Sequence, residues 1–173
     1  DARNAICQEF LRLSKDPDDV IIMLDVDHLH PINTIEKLAT DNKPVTSLLA
    51  FRSNPSQPFP CFWVYENGQL VIPTTWEAGL IRSAVIGSGA IAIKRWVLQK
   101  LIDAGWDEGF FQYGYGERGS SSSEEIFFNR ICAEEGIEVW TDTELETPHC
   151  AMGVIDSSSW KQYLADHPKK NHK

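Results

Sequence analysis

The chain has 173 residues, of which 42% are hydrophobic and 24% are charged, and its formal net charge is −9. These proportions exclude a disordered chain, and no apolar run reaches the roughly 20 residues that a membrane-spanning helix needs. The acidic balance argues against nucleic acid or an anionic membrane as the main partner. No export signal is visible and the four cysteines form no C-x-x-C pair, so we expect a protein of the reducing cytoplasm.

The hydrophobic pattern predicts alternating helices and strands. Helices are predicted at 1–15, 32–40, 94–104 and 124–135, and strands at 20–24, 44–50, 61–65, 70–72, 84–93 and 137–140. Five successive apolar residues at 20–24 are typical of a strand that is covered on both faces. The sequence therefore predicts one α/β domain over residues 1–164, with a mixed, mainly parallel sheet flanked by helices and a flexible polar tail at 165–173.

The predicted strand at 20–24 leads directly into Asp25-Val26-Asp27. Because residues i and i+2 of an extended segment point to the same side, both aspartates can face one ligand. The carboxyl end of a buried strand is where open α/β sheets bind ligands, and paired carboxylates attract Mg²⁺ or Mn²⁺. A structural role in capping the following turn stays open.

Three further features carry candidate chemistry. Glu124 and Glu125 open a predicted helix, where acidic residues are also favoured by the helix dipole alone. His149 lies near the end of the chain, and a single histidine is often only a hydrogen-bonded residue. Gly87-Ser88-Gly89 interrupts an apolar strand, which indicates a close approach of backbone to a neighbour or ligand.

These segments, taken together and in order, resemble the glycosyltransferases of the GT-A fold. The resemblance rests on ARN at 2–4, VIIMLDVDHLHP at 20–31, GSGAIAIKRWVLQKL at 87–101, the acidic helix and strand at 122–149, and HCAMG at 149–153. Members of that family carry a nucleotide-binding section before the D-x-D strand, and only residues 1–19 precede it here. The resemblance thus implies a GT-A fold that is abbreviated at its front. Either the chain is a fragment of a longer protein, or its nucleotide pocket is abbreviated or supplied by a partner chain.

The resemblance also implies an activity, namely hexosyltransferase-like transfer of a sugar from a nucleoside-diphosphate donor to a hydroxyl acceptor. It implies that Mn²⁺ or Mg²⁺ bridges the diphosphate and is held by Asp27 and His149, with Asp25 assisting both the metal and the donor. Glu125 matches the general base, with Glu124 beside it. Further donor-binding candidates are Arg3, Gly87, Ser88 and Gly89, and Trp76 is a candidate to line the sugar site.

Other interpretations stay open. The chain can be a non-catalytic remnant that binds metal or nucleotide sugar, and whether transfer inverts or retains configuration is undecided, as is assembly into a homo-oligomer. The glycine- and serine-rich stretch at 109–123 is expected to close over the bound donor. A less favoured alternative is a zinc hydrolase with ligands drawn from Asp25, Asp27, His28, His30 and His149.

Overall fold

A computed structural model describes residues 2–115, 121–150 and 153–168. The helices are α1 (Ala2–Leu13), α2 (Thr34–Thr40), α3 (Arg95–Asp103), α4 (Glu124–Glu134) and α5 (Ser157–Asp166). The strands are β1 (Val20–Leu24), β2 (Val45–Ala50), β3 (Phe62–Glu66), β4 (Gln69–Val71), β5 (Leu80–Ser83), β6 (Val85–Ile86), β7 (Ala90–Lys94), β8 (Gly114–Tyr115), β9 (Ser121–Ser122), β10 (Val139–Thr147), β11 (His149–Cys150) and β12 (Val154–Ile155).

Five of these strands form the central sheet, in the order β1-β7-β2-β10-β5. Its β2–β10 pair is parallel, whereas the β1–β7, β7–β2 and β10–β5 pairs are antiparallel. The sheet is mixed and flanked by helices as predicted, but the prediction that it is mainly parallel is wrong. An apolar run without alternation indicates burial of both faces, and burial does not depend on the direction of the neighbouring strand.

Three strands nevertheless run in one direction. Because β7 is antiparallel to both β1 and β2, those two strands point the same way, and β10 is parallel to β2. The carboxyl ends of β1, β2 and β10 therefore meet at one edge of the sheet. Asp25 follows β1 at this edge, Phe51 follows β2, and His149 lies two residues beyond β10.

The sheet is covered on both faces because alternate residues of its strands enter different clusters. Ile21 and Ile93 pack with the buried faces of α1, α3 and α4, whereas Ile22 and Ala92 pack with Leu38 of α2. Such alternation is what the pleat of a strand imposes. A third cluster lies beneath α5. In the described part of the chain, no helix combines the length and apolar character that crossing a membrane requires.

Two segments differ from the sequence-based expectation. Phe110 and Phe111, at the start of the predicted closing loop, are buried in the core, and the Asn4 side chain binds their backbone amides. Residues 116–120 of that loop lie outside the described residues. The second segment is α5, which continues to Asp166 and so includes the first two residues of the predicted tail.

A charge cluster between α2 and β10 gives the fold a pH dependence. Lys37 Nζ lies 3.1, 2.6 and 2.9 Å from carboxylate oxygens of Asp41, Asp142 and Glu144. Burial, and secondarily the Asp142 carboxylate, raise the pKa of Asp41 from 3.8 to about 6 despite the opposing effect of Lys37.

This shift predicts the sign of one contribution to stability. Because the pKa of Asp41 is higher in the folded protein than in the unfolded chain, the folded protein binds the Asp41 proton more tightly between pH 3.8 and about 6. The contribution of this proton to the free energy of unfolding therefore falls as pH rises through that range. Urea unfolding across this range should show the fall in the wild type and a weaker one in Asp41→Asn. An identical pH profile for the two proteins would contradict the prediction.

Candidate functional site

A cleft of about 410 Å³ opens at the edge where β1, β2 and β10 end. Its walls come from α1, the loop after β1, the end of β2, the link between β6 and β7, the first turn of α4, and β11. Eight of the predicted site residues line it: Arg3, Asp25, Gly87, Ser88, Gly89, Glu124, Glu125 and His149. The sequence-based prediction therefore selected residues that lie far apart in the chain but together in the fold.

Backbone hydrogen bonds hold the D-x-D turn in this cleft. The Asp25 amide donates to the carbonyl of Gly89 at 2.8 Å, and the Cys150 amide donates to the carbonyl of Asp27 at 2.7 Å. The turn is thus joined to the start of β7 on one side and to β11 on the other. Its geometry depends on three separate parts of the chain.

Three side chains form a group that can hold a metal ion. One ligand atom from each of Asp27, His28 and His149 lies within 4.8 Å of the others. His28 Nδ1 is 3.1 Å from one carboxylate oxygen of Asp27, and His149 Nε2 is 3.1 Å from the other. Two imidazoles and one carboxylate form a ligand set that suits Mn²⁺ or Zn²⁺ better than Mg²⁺.

The surroundings of His149 test whether this group fits a cation. Its Nδ1 lies 3.2 Å from the carbonyl oxygen of Phe51, and its Nε2 faces the carboxylate of Asp27. Both neighbours are acceptors, but a neutral imidazole carries only one N–H. The ring therefore requires either a second proton or a metal ion on Nε2. A backbone carbonyl that accepts from the other ring nitrogen is the usual way of orienting a metal-binding histidine.

The pKa values of the neighbouring residues also suit a metal site. Burial alone would raise the pKa of Asp27, but the charge of His149 and the hydrogen bond to His28 lower it below its ordinary value. Burial and the nearby His149 lower the pKa of His28. An ionised carboxylate and a neutral imidazole are the forms in which these residues bind metals.

Asp25 has a different partner. Arg3 Nη2 donates to both carboxylate oxygens of Asp25, at 2.6 and 2.8 Å, and Arg3 Nη1 donates to Glu124 at 2.5 Å. The carboxylate of Asp25 is thus engaged by Arg3, and it is not part of the three-residue metal group found among the described residues. The role of Asp25 as an additional metal ligand remains a prediction that this geometry does not support.

The two glutamates at the start of α4 have unlike surroundings. Burial would raise the pKa of Glu124, but the Tyr113 hydroxyl and Arg3 bind its carboxylate and lower that pKa overall. In the described parts of the chain, no side chain donates a hydrogen bond to the carboxylate of Glu125. The Asn129 side chain instead donates to the backbone carbonyl of Glu125 at 2.7 Å, which holds the first helical turn. Glu125 is therefore the better placed of the two to accept a proton.

The glycines of the cleft make room for the protein's own side chains. A Cβ atom on Gly89 would lie 2.7 Å from His28 Nε2, and one on Gly87 would lie 2.8 Å from the Cβ of Cys61. Glycine is needed at these two positions because nothing larger fits. Whether the backbone also approaches a sugar here remains a prediction.

Gly89→Ala is expected to displace the ring of His28 and weaken Mn²⁺ binding about 10- to 100-fold, because it disturbs a metal ligand. Overpacking should also cost about 1–3 kcal/mol of folding stability. Calorimetric Mn²⁺ titration and urea unfolding measure the two effects. Gly153→Ala is the matched control, since a Cβ there meets no atom of the described residues within 4 Å. Unchanged Mn²⁺ affinity in Gly89→Ala would remove His28 from the proposed ligands.

Two candidate residues lie elsewhere. Trp76 packs edge-on against Phe62, with ring centroids 5.5 Å apart, and does not line the cleft. His30 Nε2 lies 2.8 Å from the carbonyl oxygen of Asp25 and does not join the metal group. The full ligand set of the hydrolase alternative is therefore not brought together. His28 was a candidate only in that alternative, and the sequence signals for it were its position beside the D-x-D and its alternation onto one face with His30.

Comparison with known proteins does not identify a family or a function for this chain. No known protein family matches this sequence, and no curated protein does so either. Among solved structures, the chain is similar to that described as "Crystal Structure of A197 from STIV", with 14% identity, a TM-score of 0.49 and 85% of this chain covered. The chain spans 64% of the length of that protein. A likeness of this degree carries no argument about fold or function.

Proposed function

We propose that this protein is a metal-dependent glycosyltransferase, which moves a sugar from a nucleoside-diphosphate donor to an acceptor hydroxyl. One observation carries the proposal: the ligand group of Asp27, His28 and His149 adjoins the same cleft as Glu125, whose carboxylate accepts no hydrogen bond from a side chain of the described residues. A cation site and a nearby base are the two components that such a transfer needs. The resemblance of these ordered segments to GT-A glycosyltransferases points in the same direction.

The charge of the cleft supports a requirement for a cation. Among the described residues, the carboxylates of Asp25, Glu124 and Glu125 and the guanidinium groups of Arg3 and Arg52 line the cleft. Asp27 does not line it, but it adds a fourth carboxylate beside it through its contact with His149. Four negative charges against two positive ones repel a diphosphate. We therefore expect donor binding to require a divalent cation, which neutralises the diphosphate when bound.

Each residue of the site then has a defined role in the transfer. Asp27, His28 and His149 would hold the ion, and Arg3 keeps the carboxylates of Asp25 and Glu124 beside the donor sugar. Glu125 takes the proton of the acceptor hydroxyl while that oxygen bonds to the anomeric carbon. The bond from this carbon to the phosphate oxygen breaks, and its electron pair leaves with the nucleoside diphosphate. The transfer therefore needs no oxidant or reductant.

Calorimetry with a panel of UDP-, GDP- and TDP-sugars, with and without Mn²⁺, tests the proposal. Saturable binding of at least one donor that requires Mn²⁺ is expected, followed by its turnover when acceptors are supplied. Failure of a folded protein to bind any of these donors would contradict the proposal. Binding without turnover would instead identify a non-catalytic nucleotide-sugar-binding protein.

A further inference from the structure

A second cavity, of about 320 Å³, adjoins the cleft. Five residues line both spaces: Arg52, Cys61, Gly87, Ser123 and Glu125. The remaining walls of the second cavity are formed by Pro60, Trp63, Val85, Ile86 and Ile126. The proposed base is therefore on the boundary between two spaces, one beside the metal ligands and one lined largely by apolar residues.

Trp63 is distinguished from the other five tryptophans by its surroundings. Those five pack in the hydrophobic clusters or, for Trp140, beneath the ammonium group of Lys43. Trp63 belongs to none of the clusters, whereas Phe62 beside it on β3 is buried in one. In the described residues, its ring pairs with no aromatic or cationic group and its indole N–H has no hydrogen-bond partner. Core packing therefore does not account for this half-buried indole.

We infer that this second cavity is the acceptor subsite, and that the acceptor is a saccharide whose sugar ring lies on Trp63. The inference rests on the proposed function. A pyranose ring has apolar C–H faces and a hydroxyl-bearing edge, and it therefore fits an aromatic surface bordered by a few polar groups. Arg52, Ser123 and Glu125 supply the polar border here. The volume also lies within the range of about 300–1,000 Å³ of small-molecule sites.

The shared position of Glu125 agrees with this arrangement. An acceptor on Trp63 presents a hydroxyl toward the boundary, where the carboxylate of Glu125 takes its proton. The oxygen then bonds to the anomeric carbon of the donor in the cleft, and the diphosphate leaves on the far side with the electron pair of the broken bond. Cys61 does not compete as a nucleophile, since burial raises the pKa of its thiol to about 12.

The test combines nucleotide-sugar binding with saccharide binding. Donor binding is measured with the nucleotide-sugar panel in the presence of Mn²⁺. Saccharide binding is measured by saturation-transfer NMR with disaccharides that contain glucose, galactose, mannose or N-acetylglucosamine. Trp63→Ala is expected to lower disaccharide affinity at least tenfold and to leave Mn²⁺ and donor affinity within twofold. Trp63→Phe keeps an aromatic face and should retain most of the affinity. Tyr65→Ala, on the same strand and 70% exposed, is the matched control.

The outcomes separate this inference from the proposed function. Disaccharide binding that survives Trp63→Ala unchanged would overturn the acceptor subsite. Donor binding without any disaccharide binding would also overturn it, while the glycosyltransferase proposal would stand. Disaccharide binding without any donor binding would overturn both the glycosyltransferase proposal and the acceptor subsite, because a saccharide is an acceptor only where a donor also binds. Loss of disaccharide binding in Trp63→Ala alone, with donor binding kept, would support both.

Discussion

Replacing Asp27 by alanine is expected to lower the affinity of the folded protein for Mn²⁺ by about 100-fold or more. Asp27 supplies the one carboxylate of the ligand group found among the described residues, and it contacts both His28 and His149. Without it, two imidazoles remain to attract the ion and no negative charge offsets that of the metal. Calorimetry or the electron paramagnetic resonance signal of free Mn²⁺ measures the affinity directly.

Two comparison variants sharpen this experiment. Asp107→Ala removes an exposed aspartate away from the cleft and should leave Mn²⁺ affinity unchanged. Asp25→Asn should change it much less than Asp27→Ala, because Arg3 already binds the carboxylate of Asp25. Equal losses for Asp25 and Asp27 would restore Asp25 as a metal ligand. If Asp27→Ala binds Mn²⁺ with the affinity of the wild type, the assignment of Asp27, His28 and His149 as a metal site is wrong.

Glu125→Gln is expected to lower the rate of sugar transfer about 10²- to 10⁴-fold while leaving donor affinity nearly unchanged. The substitution keeps the size of the side chain and removes its ability to take a proton. Steady-state rates and donor calorimetry on the same preparation separate the two effects. A wild-type rate in Glu125→Gln would exclude this residue as the base.

Glu124→Gln is the matched comparison, because the two glutamates are adjacent and differ in their partners. Arg3 and Tyr113 bind the carboxylate of Glu124, so its replacement should disturb the Arg3 contacts and the stability of the fold more than the proton transfer itself. Thermal unfolding should therefore shift further in Glu124→Gln than in Glu125→Gln. The reverse order would show that Glu125 has a structural role instead.

Much of the secondary structure followed from local patterns. The apolar run at 20–24 forms β1, and the helix that opens at Glu124 begins where the acids and the preceding serine indicate. The predicted strand at 84–93 is divided into β6 and β7, because the backbone at Gly87 and Gly89 makes way for the side chains of Cys61 and His28. A glycine in a strand signals a close neighbour but does not identify it.

The candidate site followed from the sequence only in part. Asp27 and His149 were predicted as partners and lie in contact, and Glu124 and Glu125 line the same cleft. The distinction between the two glutamates was not visible, because it depends on the position of Arg3. The position of Glu125 between the cleft and the second cavity was not visible in the sequence either. That cavity forms only because β3 brings Trp63 beside the cleft.

Local residue patterns were enough to predict most of the buried segments and the polar residues that interrupt them, because turn formation and alternation depend on residues close together in the chain. They did not predict the burial of Phe110 and Phe111. The order and direction of the strands were decided only by the tertiary structure, which inserts β7 between β1 and β2. The same packing decided that Arg3 engages Asp25 and that His28 joins Asp27 and His149. The contacts of Arg3 with Asp25 and of His149 with Asp27 join distant parts of the chain, and their energies depend on the position of the whole sheet edge rather than on any local pattern.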